Sequence, residues 1–167
     1  AKRLVKSKSM ATEEIELNAA LALDGKEPVE TDLGEWIIQL AGETPSHIIA
    51  PAIHKTRHEI ADLFVQKLGI RRTTHPSELT QAARQALREK FLTADMGTSG
   101  CNQACAETGH ITTVSNEGNI RMATTMPRVH VAFMGMERIV ARLDEYEIIL
   151  RLLCRGAAAQ NIGVYVS

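Results

Sequence analysis

The sequence carries no basic excess: 19 lysines and arginines face 20 aspartates and glutamates, for a net charge of -1. A dedicated nucleic-acid binder reads phosphate with a positive surplus, so the balance argues against that class. No apolar run approaches the ~20 residues that a bilayer-crossing helix needs, and no signal-peptide pattern opens the chain. The 3 cysteines cannot all pair with one another, which makes a disulfide framework a poor reading. Cys101-x-x-x-Cys105 and the distant Cys154 form neither a C-x-x-C pair nor the four-cysteine run of a bacterial ferredoxin, so this segment is expected to hold no iron–sulfur cluster by itself. A Walker loop, a G-x-G-x-x-G turn and a nucleophile elbow are also missing. What is present is 44% apolar and 23% charged residues over 167 positions, enough for one core and one charged surface. The expectation is a single reduced cytoplasmic domain. It begins and stops on strand-like segments, as a piece of a longer protein would.

Strands alternate with helices along the chain. Arg3–Lys6 reads as a strand, followed by a helix capped by Thr12 with Ile15, Ala19 and Ala22 on one face and Asp24-Gly25 at its end. Val29–Leu33, Trp36–Leu40 and His47–Ala50 are strand candidates. Ile60, Leu63, Phe64 and Leu68 line a helix closed by Gly69, and Pro76 opens another that runs to about Ala94. Asn102–Glu107 and Ile111–Ser115 can pair as a hairpin around Thr108-Gly109. Val129–Met134 has the continuous apolar character of a strand buried on both faces. Asp144-x-x-Glu147 opens a helix with Ile148, Ile149, Leu152 and Leu153 inside, and Ile162–Val166 supplies a last strand. This alternation predicts an α/β fold with a largely parallel sheet flanked by helices.

Three stretches combine polar groups in ways that can carry chemistry. Ser7, Lys8, Ser9 and Thr12 place three hydroxyls and an ammonium where a strand runs into a helix, which suits phosphate or carboxylate; a plain helix cap explains the same residues. Glu107, beside Thr108 and Gly109, is a candidate acid, base or nucleophile if buried, or else a cap for a neighbouring N–H. Asn116, Glu117 and Asn119 surround Gly118, a turn first and a ligand loop second. His54 and His58 have the spacing of a metal pair without the carboxylates that usually accompany one. Cys154 and His130 read as core residues.

Taken together, particular segments resemble the lactate-utilisation (LUD) domain. They are Lys6-Ser7-Lys8-Ser9-Met10 with Thr12-Glu13-Glu14 and Asn18, then Glu30-Thr31-Asp32-Leu33-Gly34-Glu35. Pro45-Ser46-His47-Ile48 and Pro51-Ala52-Ile53-His54-Lys55 follow, then Ala106-Glu107-Thr108-Gly109, Asn116-Glu117-Gly118-Asn119-Ile120-Arg121 and Pro127-Arg128-Val129-His130. The resemblance covers nearly the whole chain and is to the LutB type. It departs at His110, where a threonine is usual, and at Cys105, which replaces an aliphatic residue.

The resemblance implies a fold like that of the sugar-phosphate isomerase and CoA-transferase group. It also implies a role in oxidising L-lactate to pyruvate alongside other subunits of an L-lactate oxidation complex. Electrons would pass through 4Fe-4S clusters held by ferredoxin-like motifs after this domain. In that reading the Lys8, Glu107 and Asn116 loops converge at strand ends on a small anionic carboxylate or phosphate. The domain then acts as a binding and assembly scaffold. The alternative is a self-contained isomerase or acyl/CoA-transferase-like enzyme using Glu107.

Overall fold

The computed structural model describes residues 2–46, 50–115, 117–159, 161 and 165–166. Its main sheet has four parallel strands in the order β2-β1-β3-β7, where β1 is Arg3–Lys6, β2 Glu27–Glu30, β3 Met96–Gly100 and β7 Val129–Phe133. The chain steps from β1 outward to β2, then returns to the other side of β1 for β3 and β7. The winding direction therefore reverses between β1 and β3. In open α/β sheets the crevice beyond the carboxyl ends of the strands at such a reversal is where ligands bind.

Side chains alternate across a strand, so the two faces of the sheet have different compositions. Val5 and Val29 pair across β1 and β2 and join a core with Trp36, Phe64, Leu79, Leu87, Phe91 and Ala123. This core is covered by α3 (Leu33–Ala41), α4 (Arg57–Leu68), α5 (Pro76–Thr93) and the short α6 (Asn119–Thr125). Trp36 and Phe64 meet edge to face at 5.7 Å. Fully burying each such large apolar side chain contributes about 1.5–3 kcal/mol. The opposite face carries Leu4, Lys6, Glu30 and Thr98 beneath α1 (Met10–Glu14) and α2 (Leu17–Leu23).

Several sequence expectations are corrected. Trp36–Leu40 is helical because Asp32 caps the segment, accepting from the Gly34 and Glu35 amides at 3.1 and 3.2 Å. Gly42, with φ +71, ends it. The helix after β1 has Ser9 rather than Thr12 at its N-cap position, without a side-chain capping bond, and it breaks in two at Glu16, whose φ is +50. The Met96–Gly100 strand carries too little apolar signal to be expected, yet it is central. Its Gly97 is required there, since a Cβ would lie 1.8 Å from the Ala123 carbonyl oxygen of α6. Val129–Phe133 is a strand but lies at the sheet edge, leaving Val129 51% exposed.

The helices and strands beyond α3 match more closely. α4 carries a Thr56–Glu59 capping box, and Pro76 sits in the first turn of α5. The expected hairpin forms between β4 (Gln103–Cys105) and β5 (Ile111–Thr112), which pair antiparallel. β4 also pairs in parallel with β8 (Ile139–Val140), and β6 (Val114–Ser115) pairs antiparallel with β9 (Tyr165–Val166). α7 spans Leu143–Ala158, and the carboxylate serving its first turn is Glu145, not Glu147. Glu145 accepts from the Ala141 and Arg142 amides at 3.1 and 3.2 Å. Ile148, Ile149 and Leu152 face outward from α7, and Cys154 is half-buried. The rest of the expected strand over 162–166 and residues 47–49 of the expected strand His47–Ala50 lie outside the described residues.

Candidate functional site

At the carboxyl ends of β1 and β3 a cleft of about 380 Å³ opens. Lys8 and Ser9 form one wall, Gly100 and Asn102 another, and Glu137 and Arg138 a third. The short 3-10 turn Met136–Arg138 that follows β7 brings Arg138 to the rim. Gly100 lets β3 pass close to the Ser9 side chain, because a Cβ there would approach the Ser9 hydroxyl to 2.8 Å. The cleft lining thus includes two cationic residues of different chemistry, Lys8 and Arg138, together with Glu14 and Glu137, and Arg138 Nε stands 3.4 Å from Glu137 Oε1 at the reversal point of the sheet.

Beneath the cleft the strand ends are ionic. Lys6, Glu30 and Thr98 lie abreast on three parallel strands, in register. Lys6 Nζ reaches Glu30 Oε1 at 2.8 Å, and Asn18 Nδ2 of α2 donates to the same oxygen at 2.6 Å. Lys6 and Glu30 are almost completely buried. Their mutual attraction and the Asn18 bond offset the loss of hydration, which for an unpaired buried charge is several kcal/mol. Glu35, in the first turn of α3, is also buried, and its Oε1 stands 3.8 Å from Lys8 Nζ. Desolvation, then the carboxylates of Glu30 and Glu13, push Glu35 up to about 7, against the pull of Lys8 and Lys6. Ser7 Oγ, Thr98 Oγ1, Glu30 Oε2 and Glu35 Oε1 are buried without a hydrogen-bond partner among the described residues.

Ser115, Glu117 and Asn119 bond to this end of the sheet and to one another. Asn119 Nδ2 donates to Thr31 Oγ1 at 3.4 Å and its Oδ1 accepts from Ser115 Oγ at 3.1 Å. Glu117 Oε2 accepts from the Leu33 amide at 3.3 Å, at the start of α3. Partial burial and then the Asp32 carboxylate raise the Glu117 pKa, while the Leu33 amide and Lys8 oppose the rise. Asn116 lies outside the described residues.

The sequence-predicted residues therefore divide. Ser7, Lys8, Ser9, Glu117 and Asn119 gather at the strand ends. Thr12 spends its hydroxyl on the Ser9 carbonyl at 2.7 Å, inside a helix only 5 residues long. Glu107, Thr108 and Gly109 form the β4–β5 hairpin turn. There Thr108 Oγ1 meets His110 Nδ1 at 2.7 Å and Gly109 takes a φ of +72. Glu107 is exposed, and its Oε2 accepts from the Leu143 amide at 2.9 Å, at the start of α7. It does not line the Lys8 cleft.

Glu35, Glu30, Lys6 and Arg138 are the site residues that sequence reasoning missed. The available signal was Asp32-x-x-Glu35, a helix-start pattern that places a carboxylate one turn inside a helix at a strand end.

Cys101 Sγ donates to the Gln103 carbonyl, Cys105 is buried in β4 and Cys154 lies on α7. His54 contacts Ser46 and Glu43, while His130 contacts Ser99 at 2.8 Å. Desolvation lowers the His130 pKa. Among the described residues no three His, Cys, Asp or Glu side chains are grouped as a metal requires. Nor is any described helix long and apolar enough to cross a membrane.

Comparison with known proteins identifies the family. Lactate utilization protein B of Bacillus licheniformis is 51% identical over 99% of this chain and 35% of its own length. The proteins of the same name from Bacillus pumilus and Oceanobacillus iheyensis are 51% and 50% identical over 100% of this chain. The chain thus spans about a third of the length of these relatives. No solved structure matches it. The LUD domain family matches residues 1–167, and the chain belongs to that family.

Proposed function

We propose that the chain is the LUD domain of a lactate utilization protein B-type iron–sulfur protein of the cytoplasm, and that its cleft binds a small carboxylate such as L-lactate. The observation that carries this reading is the Lys8 and Arg138 pair lining a cleft at the reversal point of a parallel sheet. The relatives' name supplies lactate as the first ligand to test. Oxidation to pyruvate, 4Fe-4S clusters and the other subunits of an L-lactate oxidation complex belong in this reading to regions outside the present residues. The domain contributes ligand binding and a scaffold for assembly. Lys8 is one-fifth exposed, so its attraction for an anion is partly screened by salt.

Titration calorimetry of the chain with sodium L-lactate, at low and high salt, tests the reading. Binding should weaken as salt rises. Lys8→Ala should reduce affinity about tenfold, on the scale of one charge-assisted hydrogen bond. Undiminished affinity in Lys8→Ala, or no binding by folded wild type at millimolar lactate, overturns the assignment of this cleft.

A further inference from the structure

We propose that the cleft takes its carboxylate ligand together with a proton, and that Glu35 is the positioning residue that holds this proton beside Lys8. The inference rests on the small-carboxylate reading above and adds to it a proton-linked mode of binding. Its geometric basis is the shared position of Lys8, which lines the cleft and also stands 3.8 Å from Glu35 Oε1. Glu35 is 6% exposed, and that oxygen accepts no hydrogen bond among the described residues. Lys8 is therefore the cation for which the buried carboxylate and an incoming carboxylate compete.

The charged groups acting on Glu35 come from the β1, β2 and α1 segments. Lys8 and Lys6 approach from the β1 end, Glu30 from β2 and Glu13 from α1. Lys6 is committed to Glu30, which also accepts from Asn18. Glu117 is a further carboxylate that feels the Lys8 charge. A ligand carboxylate drawn to Lys8 thus enters a site where carboxylates already outnumber ammonium groups.

Like charges held close in a desolvated site do not all remain ionised, and one of them takes up a proton. Glu30 is held ionised by two donors. Glu35 Oε1 accepts no hydrogen bond among the described residues and its ion pair with Lys8 is long, at 3.8 Å, so it is the group that protonates. The neutral carboxyl then releases Lys8 to the ligand and gains an O–H donor. With its carboxyl already near 7 in the free protein, Glu35 is partly protonated at neutral pH and mostly ionised at pH 8, so uptake on binding grows across that interval.

Proton uptake can be read directly. The chain is titrated with sodium L-lactate at pH 7.5 in HEPES and in Tris, two buffers with different ionisation enthalpies. The dependence of the observed heat on buffer gives the number of protons taken up. Wild type should take up roughly 0.5–0.75 proton per lactate, since about a quarter of Glu35 already holds one at this pH, and its affinity should fall up to about tenfold from pH 6 to pH 8. Glu35→Gln should still bind lactate, with uptake near zero and a flat pH profile. Lactamide, which lacks the carboxylate, should drive no uptake in wild type.

Should Glu35→Gln not fold, carbon-detected NMR of the Glu35 carboxyl in wild type gives the same answer: its midpoint should move upward when lactate is added. Lactate binding without proton uptake, uptake undiminished in Glu35→Gln, or a Glu35 midpoint that lactate does not move overturns this inference and leaves the carboxylate cleft standing. Absence of lactate binding to wild type overturns both.

Discussion

The two faces of the central sheet use the same four strands in opposite ways. On one face Val5, Val29, Trp36 and Phe64 pack into hydrocarbon, with three helices and the close-approaching α6 covering them. On the other, Lys6, Glu30 and Thr98 stand abreast where the next layer of side chains would be, beneath two short helices. α2 has no buried residue at all. The apolar face stabilises the domain through area removed from water. The ionic face costs desolvation and returns only what its hydrogen bonds and ion pair recover. The difference accounts for where the proposed ligand cleft sits: the strand ends that are poor in apolar contacts are those with polar atoms to spare.

Single substitutions on the two faces should cost similar amounts for different reasons. Phe64→Ala removes a buried ring and should destabilise by about 3–5 kcal/mol through lost contacts and a cavity. Lys6→Met leaves Glu30 buried beside Asn18 without its cation and should cost about 3–5 kcal/mol as well. Combining substitutions separates the mechanisms. Lys6→Met with Glu30→Met should recover most of the Lys6→Met loss, since replacing both partners of a buried pair by apolar groups is often neutral. Chemical denaturation measures all four proteins. A Lys6→Met cost below about 1 kcal/mol would mean that the ionic layer is hydrated and that the two faces differ less than the burial implies.

The next effect depends on pH. The Glu35 carboxyl titrates at about 7 in the native protein and near its ordinary 4.5 when unfolded. Below pH 4.5 both states hold the proton and there is no penalty. Between these values the native state keeps a proton that the unfolded chain has lost, so stability falls as pH rises and levels off above 7. Glu35→Gln removes this dependence. Relative to wild type it should gain on the order of 2–3 kcal/mol between pH 4.5 and pH 8. Thermal or denaturant melts across that range check it, and parallel pH profiles for the two proteins would place Glu35 in solvent rather than in the ionic face.

The apolar face was more legible in the sequence than the ionic one. Ile60, Leu63, Phe64 and Leu68, and the series from Leu79 to Phe91, repeat at helical spacing and end at glycine or open at proline, so both α4 and α5 follow from local pattern. Trp36–Leu40 misleads because a short run rich in isoleucine fits a buried strand as well as a helix; Asp32 and Gly42 decide the matter through their caps. β3 is hidden for a tertiary reason. Its Gly97 and Ser99 are small because α6 and His130 approach, and a strand of small residues carries no apolar signature. At the site, Lys8, Ser9 and Asn119 could be read from loop chemistry. Glu30 could not, and for Glu35 the Asp32-x-x-Glu35 pattern marks only a helix start, because nothing local shows that the fold will bury a carboxylate.

A moderate effect tests the cap that distinguishes α3 from the expected strand. Asp32 accepts two amides at the start of the helix, beside Glu117. Asp32→Ala should therefore cost about 0.5–2 kcal/mol, and Asp32→Asn less, since an amide oxygen can still cap. Equilibrium unfolding of the two variants measures this. Equal losses would mean that charge, rather than capping, is what the position supplies.

The smallest effect concerns Glu107, the residue whose two sequence readings diverge most. A pocketed carboxylate with an unpaired charge would be relieved by neutralisation, so Glu107→Gln would leave the domain as stable or make it more so. The structure instead has Glu107 Oε2 accepting from the Leu143 amide at 2.9 Å, on the exposed surface where α7 begins. Glutamine retains an acceptor oxygen but loses the charge that favours the positive end of a helix, a contribution of about 0.3–1 kcal/mol at an exposed site. Glu107→Ala loses the acceptor as well and should approach 1 kcal/mol. Both losses should shrink in high salt only by the charge-dependent part, so the difference between Gln and Ala should persist. Denaturant melts at low and high salt decide. Stabilisation by Glu107→Gln near neutral pH would return Glu107 to the list of residues that face a ligand, and would place chemistry at the hairpin as well as at the Lys8 cleft.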